Sequence, residues 1–154
     1  MCIRDSPEFD ELFAEEKYVI KNLKKVFLML AGAGMKKFGM DLEKEQEVLL
    51  RISEIIIEIY MSESAILRTE KNSKRFGSEN QSSQIAMSKL YLYESCELVI
   101  KKAKELIVSL SDGSEQKFLL SGLKRFTKYF NYPNTIELNR QVAKVLQSEN
   151  KYPF

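Results

Sequence analysis

Apolar residues recur at three- and four-residue steps from the start of the chain, a period that predicts helices rather than strands. The first stripe indicates one helix of roughly 30 residues with a single buried face. Pro7 suits its first helical position, with Ser6 as its cap, and Gly39 suits its left-handed end. The stripe consists of Phe9, Leu12, Phe13, Val19, Ile20, Leu23, Val26, Phe27, Leu30 and Phe38.

The same period predicts two further long helices. One runs from about Leu42 to Lys71 with Asp41 as its cap, and its stripe is Val48, Leu49, Ile52, Ile55, Ile56, Ile59, Ile66 and Leu67. A polar loop from Lys74 to Ser83 follows. The third helix runs from about Gln84 to Leu110, with the stripe Ile85, Leu92, Cys96, Val99, Ala103, Leu106 and Leu110.

Two shorter helices follow. The first runs from about Glu115 to Tyr129 after a cap at Asp112 or Ser114. The second runs from about Thr135 to Ser148 with Asn134 or Thr135 as its cap. The inward residues of the fourth helix are Leu119, Gly122, Leu123, Phe126 and Phe130. Short connections between long helices favour an all-α, antiparallel up-down bundle of three long helices plus two shorter C-terminal helices.

The first six residues do not fit this pattern. Met1–Ser6 reads MCIRDS, which lacks the apolar core of a secretory signal and resembles the translation of a sequencing adapter. We therefore expect residues 1–6 to be adapter-derived and residues 7–154 to form a single helical domain. On this interpretation Met1 is not the true start of the protein.

Composition narrows the range of functions. The chain has 154 residues, of which 44% are hydrophobic and 30% charged, which is typical of one globular domain. A net charge of +2 gives no electrostatic case for nucleic acid or for an anionic membrane surface. The two cysteines, Cys2 and Cys96, lack ligand spacing. A reducing, cytoplasmic location is expected, with Cys96 as a core residue.

Candidate chemistry is weak throughout. The chain has no histidine, which removes the commonest general base and the commonest metal ligand. A di-metal carboxylate site in a helical bundle needs Glu-x-x-His pairs, which a chain without histidine cannot supply. We therefore expect the glutamates of the second and third helices to lie on solvated helix faces, where they pair with bases such as Arg51. These are Glu54, Glu58, Glu63, Glu70, Glu94, Glu97 and Glu105. We predict no catalytic, cofactor-binding or metal-binding residue.

Two other motifs admit a binding role. Gly32-Ala33-Gly34 lacks the spacing of a phosphate loop and follows a helix, so it favours close helix packing. A cluster of cations and aromatic residues near the end of the fourth helix could bind a phosphate or a lipid headgroup. We favour the simpler interpretation, in which the cations form the outer side of the helix and the aromatic residues form its inner face. This cluster consists of Lys124, Arg125, Phe126, Lys128, Tyr129, Phe130 and Tyr132.

Two stretches, Phe13–Lys71 and Gly122–Phe154, resemble the C-terminal region of bacterial acyl-CoA dehydrogenases of the very-long-chain type. The most telling segments are KFGM followed by EKEQEVL, then EIYMSESAILRTEK, and the closing NTIELNR and ENKYPF. The resemblance covers nearly the whole chain after Ser6. It follows helix faces and includes no catalytic motif.

The resemblance implies a parent enzyme of fatty-acid β-oxidation that binds FAD and acyl-CoA in a core absent from this chain. In that family a glutamate removes the α-proton while the flavin accepts the β-hydride. The added C-terminal helical domain packs on the core and is linked to dimer organisation and, in mitochondrial members, to membrane association. No family catalytic residue matches a position here.

Three interpretations therefore stand. The leading one is the accessory domain of a truncated FAD-dependent acyl-CoA dehydrogenase, with the catalytic core as partner and a homo-oligomer as the parent's state. The second is a free-standing helical protein–protein interaction module. The third is a membrane-surface helix protein, although the apolar stripes are only as wide as a bundle core requires.

Overall fold

The computed structural model describes residues 11–149. Within that range the chain is all-α, as predicted, and contains no strand. The helices are α1 (Ala14–Phe38), α2 (Gln46–Phe76), α3 (Ser82–Leu110), α4 (Gly113–Phe126) and α5 (Thr135–Glu149), with short 3₁₀ segments at Gly39–Lys44 and Glu79–Gln81. The predictions for residues 1–6, Pro7 and Phe9 lie outside the described residues.

The core lies between α1, α2 and α3, which contact one another pairwise. α4 packs on α1 and α3, and α5 packs on α3. The predicted stripes supply most of the fully buried side chains, which include Val19, Leu23, Val26, Leu30, Ile55, Ile59, Ile66, Leu92, Cys96, Val99 and Ala103. The prediction that Ile56 and Leu67 lie in the core was wrong, because both are exposed on α2. Both sit at the edge of the apolar arc, and Leu67 borders a shallow groove that it shares with Lys17 and Ile20 of α1.

The first helix is shorter than predicted, with 25 residues. It begins at Ala14 because Phe13 adopts a left-handed φ of 64°. The Phe13 side chain is nevertheless buried, so the apolar stripe runs past the helix end. Gly39 ends α1 as predicted, and its N–H donates to the Met35 carbonyl. Its φ of 55° is positive, but its ψ of −126° lies outside the left-handed helical region that was predicted, in a conformation that glycine adopts without a Cβ clash.

The second helix begins and ends later than predicted. Asp41 does not cap it, because Gly39–Lys44 forms a 3₁₀ segment in which the Asp41 carboxylate pairs with Lys44 at 2.6 Å. At the other end α2 continues into the predicted loop as far as Phe76, because Ser73 is buried against the bundle. Gly77, with a φ of 86°, makes the turn.

The C-terminal helices agree more closely with the sequence. The Asn134 carboxamide oxygen accepts a hydrogen bond from the Glu137 N–H at 3.2 Å, which confirms Asn134 as the α5 cap. Asp112 holds the corresponding position before α4 but makes no capping hydrogen bond. α4 ends at Phe126 rather than at Tyr129. Just after this end, the Thr127 hydroxyl donates a hydrogen bond to the Leu123 carbonyl.

Gly122 permits close packing of α4 on α1, because a Cβ there would lie 2.9 Å from the Met29 sulfur. The close helix packing predicted at Gly32-Ala33-Gly34 does not depend on its glycines. Gly34 is buried beneath Leu42, but a Cβ there would make only ordinary contact, and Gly32 has open space around it in the described residues.

One carboxylate joins the two ends of the described chain. The Glu15 side chain accepts hydrogen bonds from the backbone N–H groups of Phe130 and Asn131, both at 2.8 Å, and from the Asn131 carboxamide at 2.9 Å. Charged acceptors make the stronger hydrogen bonds of proteins. Glu15 therefore fixes the connection that leads from α4 to α5.

Core packing is tested by a matched leucine pair on α1. Leu23 is fully buried and Leu28 is 66% exposed. Leu23→Ala should lower the free energy of unfolding by about 2–5 kcal/mol, because it removes apolar contacts and leaves a cavity. Leu28→Ala should change it by less than about 0.5 kcal/mol. Urea denaturation followed by circular dichroism measures both, and similar losses would contradict this packing.

The Glu15 contact is tested by hydrogen exchange. Glu15→Ala should accelerate amide exchange at Phe130 and Asn131 by about tenfold or more, because each N–H loses its charged acceptor. Exchange in the middle of α3 should remain unchanged. Unaltered exchange at Phe130 and Asn131, read by NMR, would show that Glu15 does not hold this connection.

Candidate functional site

The glutamates of the second and third helices form ion pairs between helices. Glu54 accepts from Lys102 at 2.6 Å and from Arg51 at 2.9 Å, and Arg51 also reaches Glu105 at 3.2 Å. Hydrogen bonds from Lys102 and then Arg51 lower the pKa of the Glu54 carboxyl. The predicted pairing with Arg51 is confirmed.

Two other carboxylates in this set are similarly paired. Glu70 accepts from Lys17 at 2.7 Å and from Lys74 at 3.0 Å, and the hydrogen bond from Lys17 is the main cause of its lowered pKa. Glu63 pairs with Lys24 at 2.6 Å. Both contacts join α1 to α2, so these side chains hold helices together.

Glu58 accepts hydrogen bonds from neutral donors instead. It accepts from the Ser95 hydroxyl at 2.8 Å and from Tyr91 at 3.3 Å, and burial raises the pKa of Tyr91. Glu94 and Glu97 are exposed on α3. These carboxylates join helices or face solvent, and they do not converge on one point.

No metal centre is formed by the residues that the structure describes: within 11–149, no group of three or more carboxylate or cysteine side chains lies close enough together to hold an ion. Cys96 is fully buried in the core, as predicted. Burial, which disfavours the thiolate, raises the pKa of its thiol to about 12. At neutral pH this thiol is protonated and a poor nucleophile.

The basic and aromatic residues at the end of α4 and just after it separate into two sides. Lys124 and Arg125 are exposed, and the Lys128 ammonium lies 5.3 Å from the centre of the Phe130 ring. Tyr129 is buried edge-on against Tyr93, with ring centres 5.6 Å apart. The predicted basic outer side and aromatic inner face are confirmed, with the exception of Tyr132, which is exposed.

Two surface grooves lie beside the candidate residues. The larger, of about 590 Å³, lies between α2 and α3 and is lined by Tyr60, Met61, Arg68, Met87 and Tyr91, among others. The smaller, of about 290 Å³, lies where the α4–α5 connection meets α1 and α3, beside Glu16, Lys89 and Tyr129. Glu16 and Lys89 pair at 3.2 Å. Among the residues described, neither groove brings an unpaired carboxylate to a nucleophile.

Sequence reasoning missed the outer side of α2. Leu50, Ile57, Tyr60 and Met61 are each about half exposed or more. The signal was a second apolar stripe at seven-residue spacing, Leu50 to Ile57, running beside the core stripe. None of the described helices is both long enough and apolar enough to cross a bilayer.

Comparison with known proteins gives consistent matches. The family model described as acyl-CoA dehydrogenase, C-terminal domain, matches residues 22–125. A probable acyl-CoA dehydrogenase of Bacillus subtilis (strain 168) is 30% identical over 138 residues, which is 90% of this chain and 23% of that protein.

A solved structure agrees with the fold. The crystal structure of an acyl-CoA dehydrogenase complexed with FAD from Bacillus anthracis matches 95% of this chain with a TM-score of 0.91 and 33% identity. The match covers 25% of that protein, so the chain spans about a quarter of the length of these relatives. With two thirds of its residues inside the family model, the chain belongs to the acyl-CoA dehydrogenase C-terminal domain family.

Proposed function

We propose that this chain is the accessory helical domain of an FAD-dependent acyl-CoA dehydrogenase of the very-long-chain type, acting in fatty-acid β-oxidation in the cytoplasm. In this proposal it contributes packing and dimer organisation, and the rest of the enzyme contributes catalysis. The observation that carries the proposal is the match of 95% of the chain to a segment of an FAD-complexed acyl-CoA dehydrogenase.

The ion pairs support a non-catalytic role. Proton removal beside a carbonyl needs a carboxylate that is free to accept the proton and basic enough to do so near neutral pH. Glu54 and Glu70 are held by two cations each, and their pKa values are lowered. Both are therefore weaker bases than an ordinary glutamate.

The glycine motif of α1 does not suit a flavin dinucleotide. In dinucleotide-binding folds the pyrophosphate lies on backbone N–H groups at a glycine-rich turn that opens a helix. Gly32–Gly34 lies inside α1, where the N–H groups are used by the helix itself. The larger groove offers tyrosine and methionine side chains and a single cation, Arg68, near its end. We assign flavin binding to the remainder of the enzyme.

A chimera tests the proposal. The segment of the Bacillus subtilis relative that matches this chain is replaced by the chain, and a deletion variant of the relative lacks that segment altogether. The chimera should purify with bound flavin and should dehydrogenate acyl-CoA with a kcat within about tenfold of the parent, because the exchanged domain holds no reacting group. The deletion variant should lose its native oligomeric state.

The chain alone supplies the control. It should purify without a flavin absorption band after incubation with FAD. A chain that binds FAD, or a chimera that holds flavin in its native oligomer but has lost dehydrogenation, would contradict the proposed division of roles.

A further inference from the structure

The outer face of α2 is apolar and unpartnered along much of its length. We define the α2 outer face by Leu50, Ile57, Tyr60, Met61 and Leu67, which are 49–66% exposed; Leu67 lies at its edge, beside a groove that α1 also lines. The outward positions between them include Ser53 and Ser64, and the charged Glu54 at the opposite edge is paired with Lys102 of α3 at 2.6 Å. From Leu50 to Leu67 it extends about 25 Å at 1.5 Å per residue.

Opposite charges flank the two ends of this face. Glu47 is exposed at its beginning, and Arg68 and Lys71 are exposed at its end. Helix dipoles favour this order of charges. None of the three takes part in an ion pair found between described residues, although many neighbouring charges do. Each is therefore available to a partner outside this fold.

We propose that the α2 outer face binds the same face of a second copy of this chain, with the two helices antiparallel about a two-fold axis. A surface that is acidic at one end, apolar in the middle and basic at the other end complements itself only when one copy is reversed. The inference rests on the dimer-organising part of the proposed function and assigns that role to particular residues.

The spacing of the residues gives a consistent register. Residues on this side recur at seven-residue steps in two series, as in helices that pack lengthwise. One series consists of Glu47, Glu54, Met61 and Arg68, and the other of Leu50, Ile57, Ser64 and Lys71. In the antiparallel pair Ile57 lies opposite Met61 of the second copy, and Glu47 lies opposite Lys71. The apolar centre is thus buried with an ion pair at each end.

The size of the face sets the expected affinity. From Glu47 to Lys71 the face is about 36 Å long and about 10 Å wide, which is below the area of a standard stable interface. The groove beside Tyr60 and Met61 borders it and adds contact area. We therefore expect a dimer with a dissociation constant in the micromolar range. The measurement should use chain concentrations from about 5 to about 500 μM, which span that range.

Sedimentation equilibrium of the whole chain tests the proposal. The mass should rise from 17.9 kDa toward twice that value with concentration. Ile57→Glu should raise the dissociation constant by at least about 30-fold, because it buries two carboxylates at the centre. Val108→Glu is the matched control, since Val108 is 62% exposed on α3, and should leave the constant within about twofold.

A charge exchange tests the antiparallel register. At about 0.1 M ionic strength, Glu47→Lys and Lys71→Glu should each weaken the dimer several-fold, and the double variant should recover affinity to within about twofold. The screening length is then about 10 Å, whereas these residues lie about 36 Å apart on one helix, so recovery requires contact between copies. Circular dichroism checks that each variant is folded.

Two results would overturn the inference: a chain that stays monomeric at all concentrations, or a dimer that tolerates Ile57→Glu or shows no recovery in the double variant. A monomeric chain together with an active chimera would assign the α2 outer face to the rest of the enzyme. The proposed function would then stand without this inference.

Discussion

The burial of three isoleucines on α2 fixes the arrangement of the bundle. Ile55, Ile59 and Ile66 are fully enclosed where α2 meets α1 and α3. Apolar burial of this kind contributes roughly 1.5–3 kcal/mol for each side chain. Because the three lie along one stripe, they also fix the rotation of α2 about its axis. That rotation turns Ile57 and Met61 outward, so the exposed face follows from the same packing as the core.

The polar contacts around the core account for several carboxylates of the second and third helices. Glu54, Glu63 and Glu70 each meet a lysine of a neighbouring helix. Such pairs on partly exposed surfaces contribute little individually but select the order in which helices lie beside one another. Two of them, Glu54 and Glu70, have lowered pKa values, and the thiol of Cys96 is buried.

Most of the fold was predictable because helix periodicity and core burial are local properties. The stripes from Val19 to Leu30 and from Leu92 to Leu110 were predicted correctly from spacing alone. Helix ends were less predictable, since Phe13 precedes α1 in a backbone conformation that no pattern encodes, and Asp41 pairs with Lys44 instead of capping α2.

The α2 outer face was missed for a related physical reason. Ile56 and Leu67 were misplaced because an apolar residue on a helix looks the same in sequence whether its partner is the core or another molecule. Only the packing of α1 and α3 against α2 separates the two cases. The pairing of Glu54 with Arg51 was easier to predict, because the two residues lie three positions apart on one helix.

Calorimetry tests both parts of the proposed role at once, namely association of the domain and the absence of flavin binding. Any partner that binds the native state raises Tm with its concentration. We expect a Tm that rises by about 2–4 °C for each tenfold increase in chain concentration and does not change with added FAD. A Tm that is independent of chain concentration but increases with FAD would contradict the proposed role.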